Sequence, residues 1–223
     1  FSSRRRHTRF RNVTGVQTCA LPISWKRISE DLTYNDKSRM GKTPYAINHQ
    51  AITAIDESPL QKGMLYVGTD DGRVWVRNAE GESFKLIMKN IPQNAHVSRL
   101  VASKYKKNRV YLTLSNRRED DDMPYIYVSD DNGTTWKSIA SNLPASPVNV
   151  VREDLQNPSI LYCGTDMGIY VSNNGGTSWK SLQCNLPATV SVQDLFIHPR
   201  DKQLVIATYG RGVYAMDNIS SIK

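Results

Sequence analysis

One segment recurs four times along the sequence and constrains the fold more strongly than any other feature. Each copy begins with an aromatic residue followed by a lysine and a short partly apolar stretch, and the copies start at Trp25, Phe84, Trp136 and Trp179. Successive copies are 59, 52 and 43 residues apart. Spacings of this size are typical of repeat proteins, in which one supersecondary unit stacks against the next.

The residues between these copies contain short runs rich in Val, Ile and Tyr, bounded by turn-forming residues. The runs are 51–55, 64–68 and 74–77 in the first unit, 97–102, 109–114 and 125–129 in the second, 148–152, 160–164 and 169–172 in the third, and 192–197, 204–208 and 213–216 in the fourth. None combines helical length with a 3.6-residue period, so we predict that they are strands.

Four short strands per unit predict an all-β chain, a β-propeller fragment with about four four-stranded antiparallel blades. We name the strands of a blade A to D, from the inner strand to the outer one. On this count the chain contains one D strand at Trp25, three complete blades and one A–B–C set. Residues 24–223 are therefore predicted to form a partial propeller.

A recurrent turn precedes two of the aromatic residues and fits the pattern S-x-D-x-G-x-T-W. Its residues are Ser129, Asp131, Gly133, Thr135 and Trp136 in one copy, and Ser172, Asn174, Gly176, Ser178 and Trp179 in the other. The Asp or Asn side chain can accept hydrogen bonds from turn N–H groups, and Gly tolerates positive φ. Because the motif recurs once per blade, we interpret Asp131 as a turn former, with a catalytic acid or a calcium ligand as alternatives. We interpret the aromatic residues as core packing, with sugar stacking as the alternative.

These turns match the Asp box of bacterial neuraminidase repeats, and the chain from residue 25 onwards resembles the C-terminal propeller blades of large sortilin-like Asp-box proteins. Such proteins are often labelled glycosyl hydrolases. Besides the two turns, residues 54–76, 148–172 and 195–220 carry the resemblance. The last of these is similar to the family's end-of-propeller signature, with Tyr209, Met216 and Asn218 in place of the expected His, Leu and Asp.

The resemblance implies a secreted, periplasmic or cell-envelope protein, in which this chain is a non-catalytic binding or scaffold module. It leaves two alternatives open. The chain could be part of a xyloglucanase- or sialidase-like glycoside hydrolase whose catalytic residues lie partly in missing N-terminal blades. It could also bind a peptide or propeptide in the central channel, as the sortilin likeness suggests.

The turns between strands B and C offer a candidate binding face. In a meander blade they lie at the end opposite to the recurrent C–D turns. We expect this face to gather seven residues near the central channel: Asp70, Asp71, Arg117, Arg118, Asp166, Tyr209 and Arg211. We predict that this face binds a protein, peptide or glycan, because loops held on a rigid scaffold commonly carry binding residues. The alternative for the Asp residues is that they simply favour hairpin turns. Residues 115–124 form a long charged loop, either a cation- or partner-binding loop or a solvated run of charges.

Catalytic motifs are weak in this sequence. A sialidase needs several arginines around a carboxylate, and Arg117, Arg118 and Arg211 are candidates without a diagnostic spacing. A xyloglucanase-type hydrolase needs two carboxylates about 5–10 Å apart across a cleft, and Asp70 with Asp166 is the one pair that we would consider. No metal-binding or nucleotide-binding motif is present, so we assign no catalytic residue, metal or cofactor.

Two cysteines, Cys163 and Cys184, lie in predicted strands B and D of one blade. Because strand C separates them, they should be about 9–10 Å apart. A disulfide requires Cα atoms within roughly 7 Å. We therefore predict two free, mostly buried thiols.

The first 23 residues differ from the rest of the chain. They contain five arginines and no acidic residue, and residues 13–23 resemble the translation of a sequencing-library adapter. We interpret residues 1–23 as a non-native tail of a metagenomic fragment, in place of a nucleic-acid-binding arm or a targeting peptide. Without them the net charge falls from +8 to +3, so nucleic-acid binding is not expected. No apolar run reaches the roughly 20 residues of a membrane span, and none is predicted.

Overall fold

The structure is a computed structural model that describes residues 25–38, 50–210, 212–217, 219 and 222. The chain divides into two units, Phe1–Glu30 and Asp31–Lys223. In the first unit the described residues, 25–30, form no strand, and the Trp25 side chain is fully exposed. The D strand that the sequence predicts at Trp25 is therefore not formed. Residues 1–23 lie outside the described residues, so their assignment as a non-native tail stays a prediction.

The second unit contains four antiparallel sheets, in each of which the strands follow their order in the chain. Sheet 1 contains β1 (Ile52–Glu57), β2 (Leu65–Thr69), β3 (Val74–Arg77) and β4 (Lys85–Leu86), and sheet 2 contains β5 (His96–Ala102), β6 (Val110–Asn116), β7 (Asp121–Ser129) and β8 (Lys137–Ser138). Sheet 3 contains β9 (Val148–Glu153), β10 (Leu161–Thr165), β11 (Gly168–Ser172) and β12 (Lys180–Ser181), and sheet 4 contains β13 (Val192–Ile197), β14 (Leu204–Thr208) and β15 (Val213–Met216). The predicted all-β propeller architecture is confirmed, with three blades of four strands and one of three.

The fourth strand of each complete sheet is shorter than the sequence suggests. β4, β8 and β12 have two residues each. The ladder nevertheless continues for one more bond, because Ile87, Ile139 and Leu182 donate their N–H groups to the Val74, Ile126 and Ile169 carbonyls at 2.9, 3.0 and 2.9 Å. The chain then leaves the sheet to begin the next blade.

Every inner strand carries a bulge at its second or third residue. The register shifts leave Thr53, Ser98, Asn149 and Gln193 unmatched in β1, β5, β9 and β13. Two of these residues join neighbouring sheets, because Thr53 Oγ1 donates to the Val97 carbonyl at 2.8 Å and Asn149 Nδ2 donates to the Val192 carbonyl at 3.1 Å. A β-bulge changes the direction in which the side chain of its extra residue points. At Thr53 and Asn149 the bulge therefore allows a polar contact with the inner strand of the next sheet.

The apolar core consists of three clusters, one between each pair of successive sheets. Glycine permits the close approach of the sheets near their inner strands. A Cβ atom at Gly68 would overlap the Val97 side chain, and one at Gly164 would lie 2.7 Å from Val192 Cγ1. The two glycines occupy the same place in β2 and β10, next to the first strand of the following sheet.

Two of the four repeated aromatic residues act as wedges between sheets. Trp136 and Trp179 are buried, and their indole N–H groups donate to the Ile87 and Ile139 carbonyls of the preceding sheet at 2.9 and 2.8 Å. Phe84 is only half-buried, and the Cζ atom of Arg77 lies 5.5 Å from the centroid of its ring. The four positions are therefore equivalent in sequence but not in packing.

The two recurrent turns share one hydrogen-bond pattern. Asp131 Oδ1 accepts the Thr135 N–H at 2.8 Å and the Ser129 hydroxyl at 2.7 Å, while the Ser129 oxygen accepts the Gly133 N–H at 2.8 Å. In the second turn Asn174 Oδ1 accepts the Ser178 N–H at 2.9 Å in the same way. These contacts satisfy the backbone of the turn and leave the Asp131 carboxylate engaged within it.

The segment that the sequence presents as a long loop, residues 115–124, is mostly regular. β6 continues to Asn116, β7 begins at Asp121, and a single 3-10 turn at Arg117–Glu119 joins them. Asp120 closes the turn in the left-handed conformation, with φ of 54°. Asp121 accepts hydrogen bonds from Asn116 and from Tyr125, which lower the pKa of the carboxyl and raise that of Tyr125 to about 12. The prediction of a loop is wrong, because paired strands extend the hairpin beyond the sheet.

Cys163 and Cys184 are both free, as predicted, but only Cys163 is buried. Cys163 lies inside β10, where burial raises the pKa of its thiol. Cys184 is exposed and follows β12 with φ of 36°, so it belongs to a turn and not to the fourth strand. The expected burial of Cys184 is therefore wrong, because the fourth strand ends three residues earlier than the repeat suggests.

Candidate binding groove

The B–C turns of sheets 1, 3 and 4 are fixed by the same backbone contact. Asp70, Asp166 and Tyr209 donate their N–H groups to the carbonyls of Ala51, Pro147 and Ser191 at 3.0, 3.2 and 2.9 Å. Each acceptor immediately precedes the inner strand of its sheet. Asp70, Asp166 and Tyr209 therefore occupy equivalent positions in the B–C turns of these three sheets.

Two of the predicted binding residues, Asp70 and Asp71, are buried and accept hydrogen bonds from backbone N–H groups. Asp70 Oδ1 accepts the N–H groups of Gln50 and Ala51 at 2.6 and 2.8 Å. Asp71 Oδ2 accepts the Tyr34 N–H at 2.7 Å, and its other oxygen accepts the Thr69 hydroxyl. Carboxylates held in this way stabilise the turn and the segment beside it.

Four other predicted residues meet at one groove of about 860 Å³ between the B–C turns of sheets 2, 3 and 4. We call it the B–C groove, and Arg117, Arg118, Asp166 and Tyr209 line it. Arg211 lies outside the described residues. Sequence reasoning missed the remaining polar lining, which comes mainly from inner strands and the residues just before them: His96, Ser98, Arg99, Ser146, Asn149, Ser191 and Gln193.

Asp166 is the most extensively bonded side chain of the groove. Its Oδ1 accepts hydrogen bonds from Asn149 Nδ2 at 2.8 Å and from the Ser191 hydroxyl at 2.6 Å. Its Oδ2 lies 3.0 Å from the Arg117 guanidinium. Gln193 Nε2 of sheet 4 also donates to Oδ1, at 3.5 Å. Sheets 2, 3 and 4 therefore all contribute donors to this carboxylate, and both of its oxygens are engaged by the protein itself.

The hairpin of sheet 2 extends its two arginines toward both neighbouring sheets. Arg117 contacts Asp166 of sheet 3, and Arg118 contacts Asp70 of sheet 1 at 3.4 Å. The Arg117 side chain is 71% exposed, whereas that of Arg118 is 35% exposed. Arg117 therefore presents most of its side chain to solvent beside the groove.

A second group of charges lies along the inner strands themselves. Asp194 of β13 contacts Arg99 of β5 at 3.1 Å and Arg152 of β9 at 3.0 Å. Burial lowers the pKa of Arg152 and raises that of Asp56 in β1, which accepts the Ala102 N–H at 2.7 Å. One signal in the sequence could have revealed this group, because three of the four predicted A strands contain a charged residue and Asp56 directly follows the other one.

Two hydroxyl groups at the floor of the groove have no protein partner in the described part of the chain. They belong to Ser98, at the bulge of β5, and to Ser146, whose side chain is almost completely buried. At the rim, Tyr209 is 78% exposed and Met167 is also exposed. The groove therefore combines a polar floor with an apolar and cationic rim, a combination suited to a polar ligand with some apolar surface.

Two further features of the described residues bear on the site. Nowhere among residues 25–38, 50–210, 212–217, 219 and 222 do three His, Cys, Asp or Glu side chains gather as ligands for a metal ion. Within the same residues, no helix has the length and apolar character that crossing a membrane requires.

A family model described as sortilin, neurotensin receptor 3, matches residues 124–220. No curated protein matches the sequence significantly.

Many solved structures share the fold at low sequence identity. The GH74 xyloglucanase from Xanthomonas campestris aligns with a TM-score of 0.59 and 16% identity, over 75% of this chain and 29% of its own. The protein YCF48 bound to D1 peptide aligns with a TM-score of 0.55 and 14% identity, over 75% of this chain and 51% of its own. The extracellular domain of a one-component system from B. thetaiotaomicron aligns with a TM-score of 0.58 and 14% identity, over 86% of this chain and 25% of its own.

The chain thus spans between a quarter and about half of these three structures. At these identities the likeness establishes the fold alone. Together with the match to the family model, it shows that the chain is a β-propeller fragment whose residues 124–220 are sortilin-like in sequence.

Proposed function

We propose that this chain is a non-catalytic binding or scaffold part of a secreted or envelope-associated propeller protein. Its ligand, a protein, peptide or glycan, binds in the B–C groove. The observation that carries the proposal is the state of Asp166, whose two oxygens already accept hydrogen bonds from Asn149, Ser191 and Arg117. A carboxylate whose two oxygens are already engaged by protein side chains orients those neighbours around the groove.

The one carboxylate pair that suggests hydrolysis, Asp70 with Asp166, does not support that chemistry. Glycosidases need two carboxyl groups that both face the scissile bond, about 5–10 Å apart. Asp70 is buried beneath two backbone N–H groups and the Arg118 guanidinium. Asp70 therefore has a structural role in the turn, and this role explains its position without any contact to a substrate.

The groove offers groups suited to recognition. Arg117 and Tyr209 are exposed at its rim, and Arg side chains with aromatic rings are frequent anchors for peptides and polar ligands. YCF48, one of the structures with the same fold, is bound to a peptide. Another is an extracellular domain, which supports the proposed location outside the cytoplasm.

Ligand binding by the whole chain tests the proposal. Peptide and glycan arrays would identify a ligand, and its affinity would then be measured for the Arg117→Ala and Tyr209→Ala variants by calorimetry. We expect at least a tenfold loss for each, on the scale of an interface hot spot. Arg200→Ala is the matched control, because Arg200 is also an exposed arginine paired with one aspartate but lies in the β13–β14 turn. Equal losses in all three variants would contradict a site in the B–C groove.

The alternative is that the chain belongs to a glycoside hydrolase, which its likeness to a GH74 xyloglucanase favours. In that case catalytic carboxylates would come partly from residues outside this chain. Hydrolysis of xyloglucan and sialoside oligosaccharides by the chain, and by longer products of the same gene, would separate the two. Turnover that disappears in Asp166→Ala would contradict the binding proposal.

A further inference from the structure

Side chains of sheet 3 engage the backbone along one edge of β13. This strand is the first of sheet 4, so that edge has no strand partner among the described residues. Nevertheless the Val192 carbonyl accepts Asn149 Nδ2 at 3.1 Å, and the Leu195 carbonyl accepts Arg152 Nε at 3.0 Å. The Leu195 N–H donates to the Asp194 carboxylate at 2.9 Å. An extended peptide would need these backbone groups to pair with the edge, and the protein already engages them.

The corresponding edge of β5 is engaged by sheet 1 in the same way. The Val97 carbonyl accepts the Thr53 hydroxyl at 2.8 Å, and the Ala102 N–H donates to the Asp56 carboxylate at 2.7 Å. Both β5 and β13 contribute lining to the B–C groove. A ligand in the groove therefore meets side chains and not an open strand edge.

The bulges of the inner strands supply most of the polar lining. The bulge residues Ser98, Asn149 and Gln193 line the groove, as do Ser146 and Ser191, which lie just before β9 and β13. Hydroxyl and carboxamide groups both donate and accept hydrogen bonds. This lining matches a ligand whose surface is rich in hydroxyl groups, because each such group also donates and accepts.

Two of the lining hydroxyls lack a partner within the part of the chain that the structure describes. Ser146 is 1% exposed, and neither its oxygen nor that of Ser98 makes a hydrogen bond there. A buried hydroxyl without a partner costs free energy, and a ligand hydroxyl that reached it would remove that cost. These two groups therefore favour a ligand that brings hydroxyls to the floor of the groove.

The rim adds positive charge and an aromatic ring. Arg117 contacts Asp166 through Nη1 and its side chain is 71% exposed, so further N–H groups of the guanidinium face solvent and suit a carboxylate. Tyr209, which is 78% exposed, offers a ring face on which a sugar ring can lie. Arginines outnumber aspartates in the lining, which contains Arg99, Arg117, Arg118, Asp122 and Asp166.

We propose that the ligand of the B–C groove is an acidic oligosaccharide, a short chain of sugars that carries uronic acid carboxylates. The inference rests on the proposed function, which leaves the class of ligand open, and it selects a glycan over a peptide. Sugar hydroxyls bind Ser98, Ser146 and the bulge carboxamides, a carboxylate pairs with Arg117, and one sugar ring lies against Tyr209. The volume of about 860 Å³ is within the range of ligand sites.

The test measures binding of uronate tetrasaccharides to the whole chain by calorimetry. The probes are the tetramers of galacturonate and of mannuronate, and a hyaluronan tetrasaccharide, which contains glucuronate. The methyl ester of each is the matched control, because it keeps the hydroxyls and loses the charge, and tetraglutamate carries the charge without the hydroxyls. We expect at least one uronate to bind with a Kd below about 1 mM, and its ester and tetraglutamate to bind about tenfold more weakly or worse.

Two variants separate the roles of charge and hydroxyl. Arg117→Gln should reduce the affinity for the acid to that for its ester and leave the ester unaffected, whereas the control Arg200→Gln, in the β13–β14 turn, should change neither. Ser146→Ala should weaken the acid and the ester by the same factor, about threefold to tenfold. Circular dichroism should show an unchanged fold, because this variant removes a hydroxyl without a protein partner in the described ranges.

The outcomes distinguish this inference from the proposed function. No uronate binding up to about 1 mM, equal affinities for acid and ester, or tetraglutamate binding as tight as that of the best uronate would each overturn the inference. A peptide from the array whose binding depends on Arg117 and Tyr209 would also overturn it, while supporting the proposed function. A ligand of any class whose binding is unaffected by both substitutions would contradict both.

Discussion

Arg117 joins sheet 2 to sheet 3 through its 3.0 Å contact with Asp166, and the two partners differ sharply in exposure. The arginine side chain is 71% exposed, whereas the aspartate is 19% exposed. An ion pair with one highly exposed partner contributes little stability. The carboxylate has a second role, because it also accepts hydrogen bonds from Asn149 and Ser191.

The first prediction follows from this asymmetry. Arg117→Ala should lower the free energy of unfolding by less than about 1 kcal/mol, because the lost contact is screened by solvent. Asp166→Ala should cost about 1–3 kcal/mol, because the Ser191 hydroxyl and the Asn149 amide lose an acceptor in a partly buried site. Urea unfolding at neutral pH measures both. Equal costs would show that Asp166 acts only through the arginine.

The second prediction concerns the tryptophan wedges. Trp136→Phe and Trp179→Phe should each lower the free energy of unfolding by about 2–4 kcal/mol, because each leaves a buried carbonyl unpaired and shrinks the ring that fills the interface. The two costs should be similar, since both indoles donate to equivalent carbonyls, those of Ile87 and Ile139.

Trp25→Phe is the control for these variants. Trp25 is fully exposed in the structure, so its replacement should change the free energy of unfolding by no more than about 0.5 kcal/mol. Urea unfolding followed by circular dichroism suits all three variants, because the fluorescence of the chain changes with each tryptophan removed. A cost at Trp25 as large as at Trp136 would contradict the packing seen here.

The repeat made most of the fold predictable, because a period of strands and turns determines the number of sheets and their order. The inner strand at 192–197 and the third strand at 213–216 appear with the predicted bounds. The fourth strands were harder to predict, because their length depends on where the chain must turn toward the next sheet. The pattern WKSLQCNL gives no sign that β12 ends at Ser181.

The candidate site was predictable only in part for a similar reason. The turns identify Arg117, Arg118, Asp166 and Tyr209, but equivalent turn residues need not share a role. Asp70 and Asp166 donate the same backbone bond, yet Asp70 lies beneath the N–H groups of Gln50 and Ala51 while Asp166 faces the groove. The difference arises from the preceding segment in each sheet, which periodicity does not describe.

The third prediction concerns the two thiols. At pH 8 in the native state Cys184 should react with a maleimide much faster than Cys163, because it is exposed in a turn. Cys163 lies within β10, where burial both blocks access and raises the pKa of the thiol, so little thiolate forms. Mass spectrometry of the labelled protein gives each rate, and urea should abolish the difference. Rapid native labelling at Cys163 would mean that sheets 2 and 3 separate readily.

The fourth prediction concerns the pH dependence contributed by Asp131. Burial opposes ionisation of its carboxyl, but hydrogen bonds from Thr135 and Ser129 outweigh that effect and hold the pKa below the ordinary value of 3.8. A carboxyl whose pKa is lower in the folded state stabilises the fold above its unfolded pKa and loses that contribution as the pH falls through the folded value. Because the carboxyl is only partly buried, solvent screens these interactions and the contribution should remain below about 1 kcal/mol.

The wild type should therefore lose a small part of its free energy of unfolding as the pH falls from 5 to 2, and Asp131→Asn should not. Relative to the variant, the wild type becomes less stable through this range. Asn174 shows that an amide can hold the same turn, since its oxygen accepts the Ser178 N–H at 2.9 Å and its Nδ2 donates to the Ser178 hydroxyl at 2.8 Å. The matched variant Asn174→Asp should acquire the pH dependence that Asp131→Asn loses. Urea titrations at each pH measure the differences, and a wild-type advantage that grows toward pH 2 would contradict the lowered pKa of Asp131.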